Sequence, residues 1–77
     1  MALTGGCLCG GVRFELSEPP ARATYCHCTR CQRRTGTAAS AEGSIDAGTL
    51  TIVAGEELLR AYAEPGRWQE LFCSNCG

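Results

Sequence analysis

The sequence predicts a small, mainly β domain held together by metal. Three observations carry that prediction. The chain has 77 residues, enough for a single domain (1–77) with a modest core, a size at which metals or disulfides commonly supply the missing stability. Seven residues are cysteine, whereas Phe, Trp and Tyr together number five. Apolar runs are short, ten glycines interrupt them, and no segment carries the 3.6-residue repeat of a long helix.

The elements follow in order. Residues 11–16 alternate apolar Val12, Phe14 and Leu16 with polar neighbours, the pattern of a half-buried strand. Pro19 and Pro20 end it, because proline cannot donate to a ladder. Residues 23–26 read as a second strand running into a cysteine turn. Residues 37–44 are small and polar and suit a strand with close backbone neighbours. Residues 49–53, rich in β-branched side chains, form a further strand ended by Gly55. Residues 58–62 form another, closed by Glu64-Pro65-Gly66, a turn signal. Residues 67–72 lead into the terminal Cys73-Ser74-Asn75-Cys76-Gly77. A short helix near 54–60 is the weaker alternative. Tyr25 and Trp68 read as core side chains. Glu56, Glu57 and Glu64 show no pairing that suggests acid–base work, and no internal repeat or phosphate loop is present.

The cysteines form three clusters: Cys7-x-Cys9, Cys26-x-Cys28-x-x-Cys31 and Cys73-x-x-Cys76. Sulfurs about 2.3 Å from a tetrahedral zinc lie roughly 3.8 Å apart. Residues i and i+2 of a strand share a face, so a slight bend brings C-x-C thiolates onto one ion. C-x-x-C makes the tight zinc-knuckle turn. The simplest partition is a closed four-cysteine site (Cys7, Cys9, Cys73, Cys76) and a three-cysteine site (Cys26, Cys28, Cys31), with two Zn²⁺ per chain. Closed four-ligand zinc is normally structural, and three ligands with an open position is the catalytic arrangement. The fourth position of the second site falls to water or substrate, to His27, or to a partner. In extended backbone His27 points away from the face shared by Cys26 and Cys28.

Composition narrows the partners. Net charge is −1, and seven thiolates on two dications would make it more negative. Nucleic acid is therefore a poor partner. No basic start with an apolar run marks a signal peptide, and no stretch is long enough to span a bilayer, so a cytoplasmic location is expected. An odd number of cysteines in a reducing compartment argues for metal over disulfides.

The segments Gly5-Gly6-Cys7-Leu8-Cys9-Gly10-Gly11-Val12-Arg13-Phe14-Glu15, Cys26-His27-Cys28-Thr29-Arg30-Cys31-Gln32-Arg33-Arg34-Thr35-Gly36 and Phe72-Cys73-Ser74-Asn75-Cys76-Gly77 carry a resemblance. Together they resemble the glutathione-dependent formaldehyde-activating enzyme family, which also includes centromere protein V. The resemblance implies several coiled β-sheets (β-tent-like) and two zinc ions. It implies structural zinc on Cys7, Cys9, Cys73 and Cys76 and catalytic zinc on Cys26, Cys28 and Cys31. It also implies a carbon–sulfur lyase reaction joining formaldehyde and glutathione to S-(hydroxymethyl)glutathione. Family members usually continue past the last C-x-x-C-Gly, so the chain is expected to lack its C-terminal strands. Arg33 and Arg34 then become candidates for glutathione carboxylates, since Arg pairs with carboxylates in a bidentate way. Their bland role is to balance an anionic cluster. The alternative to an enzyme is a non-catalytic zinc-binding module that works through protein contacts.

Overall fold

The computed structural model describes residues 3–63, 65, 66 and 69–77. Among these residues seven strands form three separate antiparallel sheets. β1 (Leu3–Gly6), β2 (Arg13–Leu16) and β5 (Leu50–Ala54) make the first, in the order β1-β2-β5. β3 (Arg22–Cys26) pairs with β4 (Ser40–Ser44), and β6 (Leu59–Tyr62) pairs with β7 (Glu70–Cys73). Between β3 and β4 runs a seven-residue helix, α1 (Thr29–Thr35), and a single 3₁₀ turn (Glu56–Leu58) precedes β6.

Pairing explains the strand limits. β2 sits in the middle of its sheet and buries Leu16. Its register slips between Arg13, opposite Ala54, and Phe14, opposite Ile52, where a bulge bends the strand. β1 was not anticipated, because Gly5 and Gly6 are poor strand residues. Its register places Gly5 opposite Phe14, and a side chain at Gly5 would run into the Phe14 ring.

α1 was also unanticipated. A seven-residue helix is too short to show a repeat. The Cys28 sulfur caps it by accepting the Cys31 N–H at 3.3 Å, and Gly36 closes it in a left-handed conformation. The weaker helical alternative at 54–60 survives only as the 3₁₀ turn.

The core is small. Among the described residues its buried apolar members are Val12, Leu16, Cys31 and Cys73, and none is fully enclosed. An apolar cleft of about 550 Å³ stands open between the sheets, lined by Val12, Phe14, Leu16, Ile52, Leu59 and Phe72 among others. The radius of gyration, 13.2 Å, exceeds the roughly 11.5 Å of a compact chain of this length. Tyr25, expected in the core, is 74% exposed. It pairs with Ala41 on the face of the β3–β4 ladder opposite Cys26. Trp68, Arg67 and Glu64 lie outside the described residues.

Candidate metal centres

The fold gathers the cysteines into two groups. The sulfurs of Cys7, Cys9, Cys73 and Cys76 all lie within 4.8 Å of one another, and so do those of Cys26, Cys28 and Cys31.

The first group joins two turns of similar build. Cys7-Leu8-Cys9 follows β1, and Gly10 closes it with its N–H on the Cys7 carbonyl at 3.1 Å. Cys73-Ser74-Asn75-Cys76 follows β7, and Gly77 closes it with its N–H on the Cys73 carbonyl at 2.8 Å. Gly10 has φ +78° and Gly77 φ +80°, a region where glycine alone is unstrained. The Cys7 and Cys9 sulfurs are 3.6 Å apart, and those of Cys9 and Cys73 are 3.8 Å apart across 64 residues. These spacings match tetrahedral sulfur ligands on one ion, roughly 3.8 Å apart.

Backbone amides already serve the sulfurs. Val12 N–H donates to Cys7 Sγ at 3.2 Å, Gly11 N–H to Cys9 Sγ at 3.4 Å and Asn75 N–H to Cys73 Sγ at 3.4 Å. Such bonds favour thiolate. The Val12 N–H is the main reason that the Cys7 thiol falls from 9.0 to about 6. The Asn75 side chain, then the Gly11 N–H, lower Cys9. Cys76 is pushed up to about 11. A backbone hydrogen bond from Cys9 lowers it, but burial and the Cys7, Cys73 and Cys9 sulfurs outweigh that bond. Four sulfurs crowded together resist becoming four anions, and a dication removes that resistance.

The second group sits where β3 meets α1. Cys26 ends β3, Cys28 caps α1 and Cys31 lies in its first turn, 5% exposed. The Cys26 and Cys28 sulfurs are 3.5 Å apart. The Cys31 N–H lowers Cys28 to about 7, whereas the Cys26 and Cys28 sulfurs and burial push Cys31 up to about 12. The donor set of both groups is all sulfur, which selects zinc, copper(I) or iron–sulfur chemistry over hard cations. His27 is exposed and does not belong to the group, although its carbonyl accepts from Gln32 Nε2 at 2.9 Å.

Two carboxylates that sequence reasoning missed stand beside α1. Glu42 on β4 places Oε2 3.9 Å from Cys31 Sγ. Glu70 on β7 meets Arg34 Nε at 3.2 Å and Arg30 at 3.7 Å. Arg34 also reaches Glu42 at 3.5 Å and the Ser40 hydroxyl at 3.2 Å. Glu42 lies on the strand that follows α1 and Glu70 on β7, far along the chain, and both are brought to the helix by folding. A groove of about 1100 Å³ runs along α1, lined by Arg30, Arg33, Arg34, Tyr62, Glu70 and Phe72 among others. No helix among the described residues is long and apolar enough to cross a membrane.

Comparison with known proteins shows the family. The profile of the family described as glutathione-dependent formaldehyde-activating enzyme matches residues 2–77. A Halomonas elongata protein, provisionally named as a glutathione-dependent formaldehyde-activating enzyme, is 36% identical over 84 residues. That match takes in 99% of this chain and 52% of the relative, so the chain spans about half the length of the curated relative. No solved structure matches the chain significantly. The chain belongs to the glutathione-dependent formaldehyde-activating enzyme family.

Proposed function

We propose that both centres hold zinc and that the three-cysteine centre joins a small thiol, glutathione in the family's namesake reaction, to formaldehyde. The supporting observation is the division of the cysteines, four around one point and three around another. The four-cysteine centre is structural in this reading. The three-cysteine centre leaves a coordination position for an incoming ligand.

The reaction is an addition. A bond forms between the thiol sulfur and the aldehyde carbon, the carbonyl becomes a hydroxyl, and the thiol proton ends on that hydroxyl. The product, S-(hydroxymethyl)glutathione, makes this a carbon–sulfur lyase step read in the synthetic direction. Bound zinc would keep the thiol as thiolate at neutral pH and gather the two reactants. Cys26, Cys28 and Cys31 fix the ion. Arg33, on the groove beside them, offers a planar pair of donors to a substrate carboxylate. Arg34 is the second candidate, but its guanidinium already bridges Glu42 and Glu70. Binding substrate there would mean exchanging one carboxylate for another.

The test is exchange NMR of formaldehyde with glutathione in the presence of zinc-loaded protein. Acceleration above the buffer reaction, abolished in Cys28→Ser, supports the reading; equal rates with and without protein sink it. Arg33→Gln is expected to weaken an acidic thiol while leaving a neutral thiol unaffected. A second reading, a non-catalytic zinc module, is favoured by one observation, the Glu42 carboxylate beside Cys31.

A further inference from the structure

The β3–β4 register decides where Glu42 points. Cys26 pairs with Ser40, and Thr24 with Glu42. Directly paired residues, and residues two apart, share one face of a sheet. Glu42 therefore stands on the same face as Cys26, diagonally across from it. Tyr25 and Ala41 take the other face. The carboxylate reaches the Cys31 sulfur at 3.9 Å. A sulfur and a carboxylate oxygen on one tetrahedral zinc lie about 3.5 Å apart. Glu42 is outside the tight group of three thiols, so its carboxylate, already 3.9 Å from Cys31 Sγ, would have to swing toward the other two sulfurs to meet a shared ion.

We propose that Glu42 is the fourth ligand of the metal held by Cys26, Cys28 and Cys31, exchanged for thiolate when a thiol substrate arrives. Charge supports this placement. Three thiolates and a carboxylate around a dication leave two negative charges, and α1 answers with Arg30, Arg33 and Arg34 and no acid. Arg34, 3.5 Å from Glu42, fits the usual second layer of a metal site, in which a ligating carboxylate keeps a hydrogen-bond partner. Arg34 is then a positioning residue for Glu42. The exchange is chemically ordered, because soft thiolate displaces hard carboxylate from zinc among sulfur ligands. The bond from Glu42 oxygen to metal breaks, a bond from substrate sulfur forms, and the thiol proton passes to solvent. Resting closure by Glu42 would satisfy the zinc-module observation while leaving the centre able to open.

The ligand assignment rests on the metal assignment made above, not on the formaldehyde reaction. The test is titration of the metal-free chain with cobalt(II), read by thiolate-to-cobalt charge-transfer absorption. Wild type is expected to take two equivalents. Glu42→Gln is expected to weaken one of the two by at least about tenfold with its three-thiolate absorption retained. Glu42→Cys is expected to restore tight binding and raise that centre's charge-transfer absorption by about one third, as three thiolates become four. A Glu42 acting only through Arg34 would not be rescued by cysteine. Unchanged affinity in Glu42→Gln, with no added absorption in Glu42→Cys, overturns the ligand while leaving the zinc reading intact. A wild-type chain that takes one equivalent, undisturbed by Cys28→Ser, overturns the metal assignment and this proposal with it.

Discussion

Removing the metal from the four-cysteine centre should unfold the β6–β7 end of the domain and, with it, the rest. The structure supplies the magnitudes. The centre joins Cys9 to Cys73, 64 residues apart, and closing such a loop costs about 3.7 kcal/mol from (3/2)RT ln n. A structural zinc contributes on the order of 10–16 kcal/mol in small peptides at neutral pH, several times that cost. The net stability of a whole domain is only about 5–15 kcal/mol, so the ion outweighs any reserve. The rest of the fold offers little to replace it. Among the described residues, two of the four that are buried and apolar, Cys31 and Cys73, are themselves candidate ligands. Among the described residues β6 and β7 pair only with each other, and an isolated two-stranded hairpin is marginal in water. Amide exchange after chelation is the assay. Protection should vanish first at Leu59–Tyr62 and Glu70–Cys73, followed by loss of the β-sheet circular dichroism. Cys73→Ser, which removes a ligand that is 4% exposed, should behave like chelation, whereas Cys28→Ser should keep the β6–β7 protection. A metal-free chain that melts within a few degrees of the loaded one would refute the reasoning.

Loading the metal-free chain at pH 7 should release protons, because thiols must bind as thiolates; a pH indicator in weak buffer measures the release. Metal-linked stability is then full above the ordinary thiol value and is lost as pH falls, with Cys7 and Cys28, at about 6 and about 7, among the last to regain protons; zinc release against pH by a chromogenic chelator checks the sign. Gly55→Ala should cost more than about 2 kcal/mol, since φ is +80° and a β-carbon there would strike the Gly11 carbonyl oxygen and sit 2.8 Å from Val12 Cα; denaturant midpoints of the zinc-loaded proteins measure it.

The parts of this protein legible from sequence are those governed by short-range geometry. Cys26, Cys28 and Cys31 could be grouped from spacing alone, because ligand separations on one ion are fixed within a few residues. Cys7, Cys9, Cys73 and Cys76 followed by elimination, and the structure brings them within 4.8 Å of one another. Strand positions were readable where alternation was strong, as at Phe14 and Leu16. Limits shifted by a few residues, because pairing and not propensity ends a strand: β4 begins at Ser40, opposite Cys26, rather than at Thr37. α1 escaped because a sulfur, not a hydroxyl or carboxylate, provides its cap. Tyr25 misled for a different reason. Its size argues for burial, but a β-strand alternates faces, and Cys26 has claimed the inner one. Glu42 and Glu70 were invisible, since their importance arises only when β4 and β7 fold against α1.

That last point bears on how the two centres relate. Arg30 and Arg34 leave α1, whose first turn contains Cys31, and both reach Glu70 at the start of the strand that ends in Cys73. Arg34 simultaneously holds Glu42 beside the Cys31 sulfur. If the four-cysteine group is the structural centre, as proposed, it would fix β7; β7 presents Glu70, and Glu70 pairs with the arginine that also reaches Glu42. Each exposed ion pair in this chain is worth only about 0–1 kcal/mol, too little to hold the fold but enough to bias one side-chain rotamer several-fold. A weak link suits a ligand that must leave when a thiol arrives. In the proposed reading both ions are held by thiolates, one of them tying residue 9 to residue 73, and the weak ion pairs of Arg34 serve the position where exchange would occur.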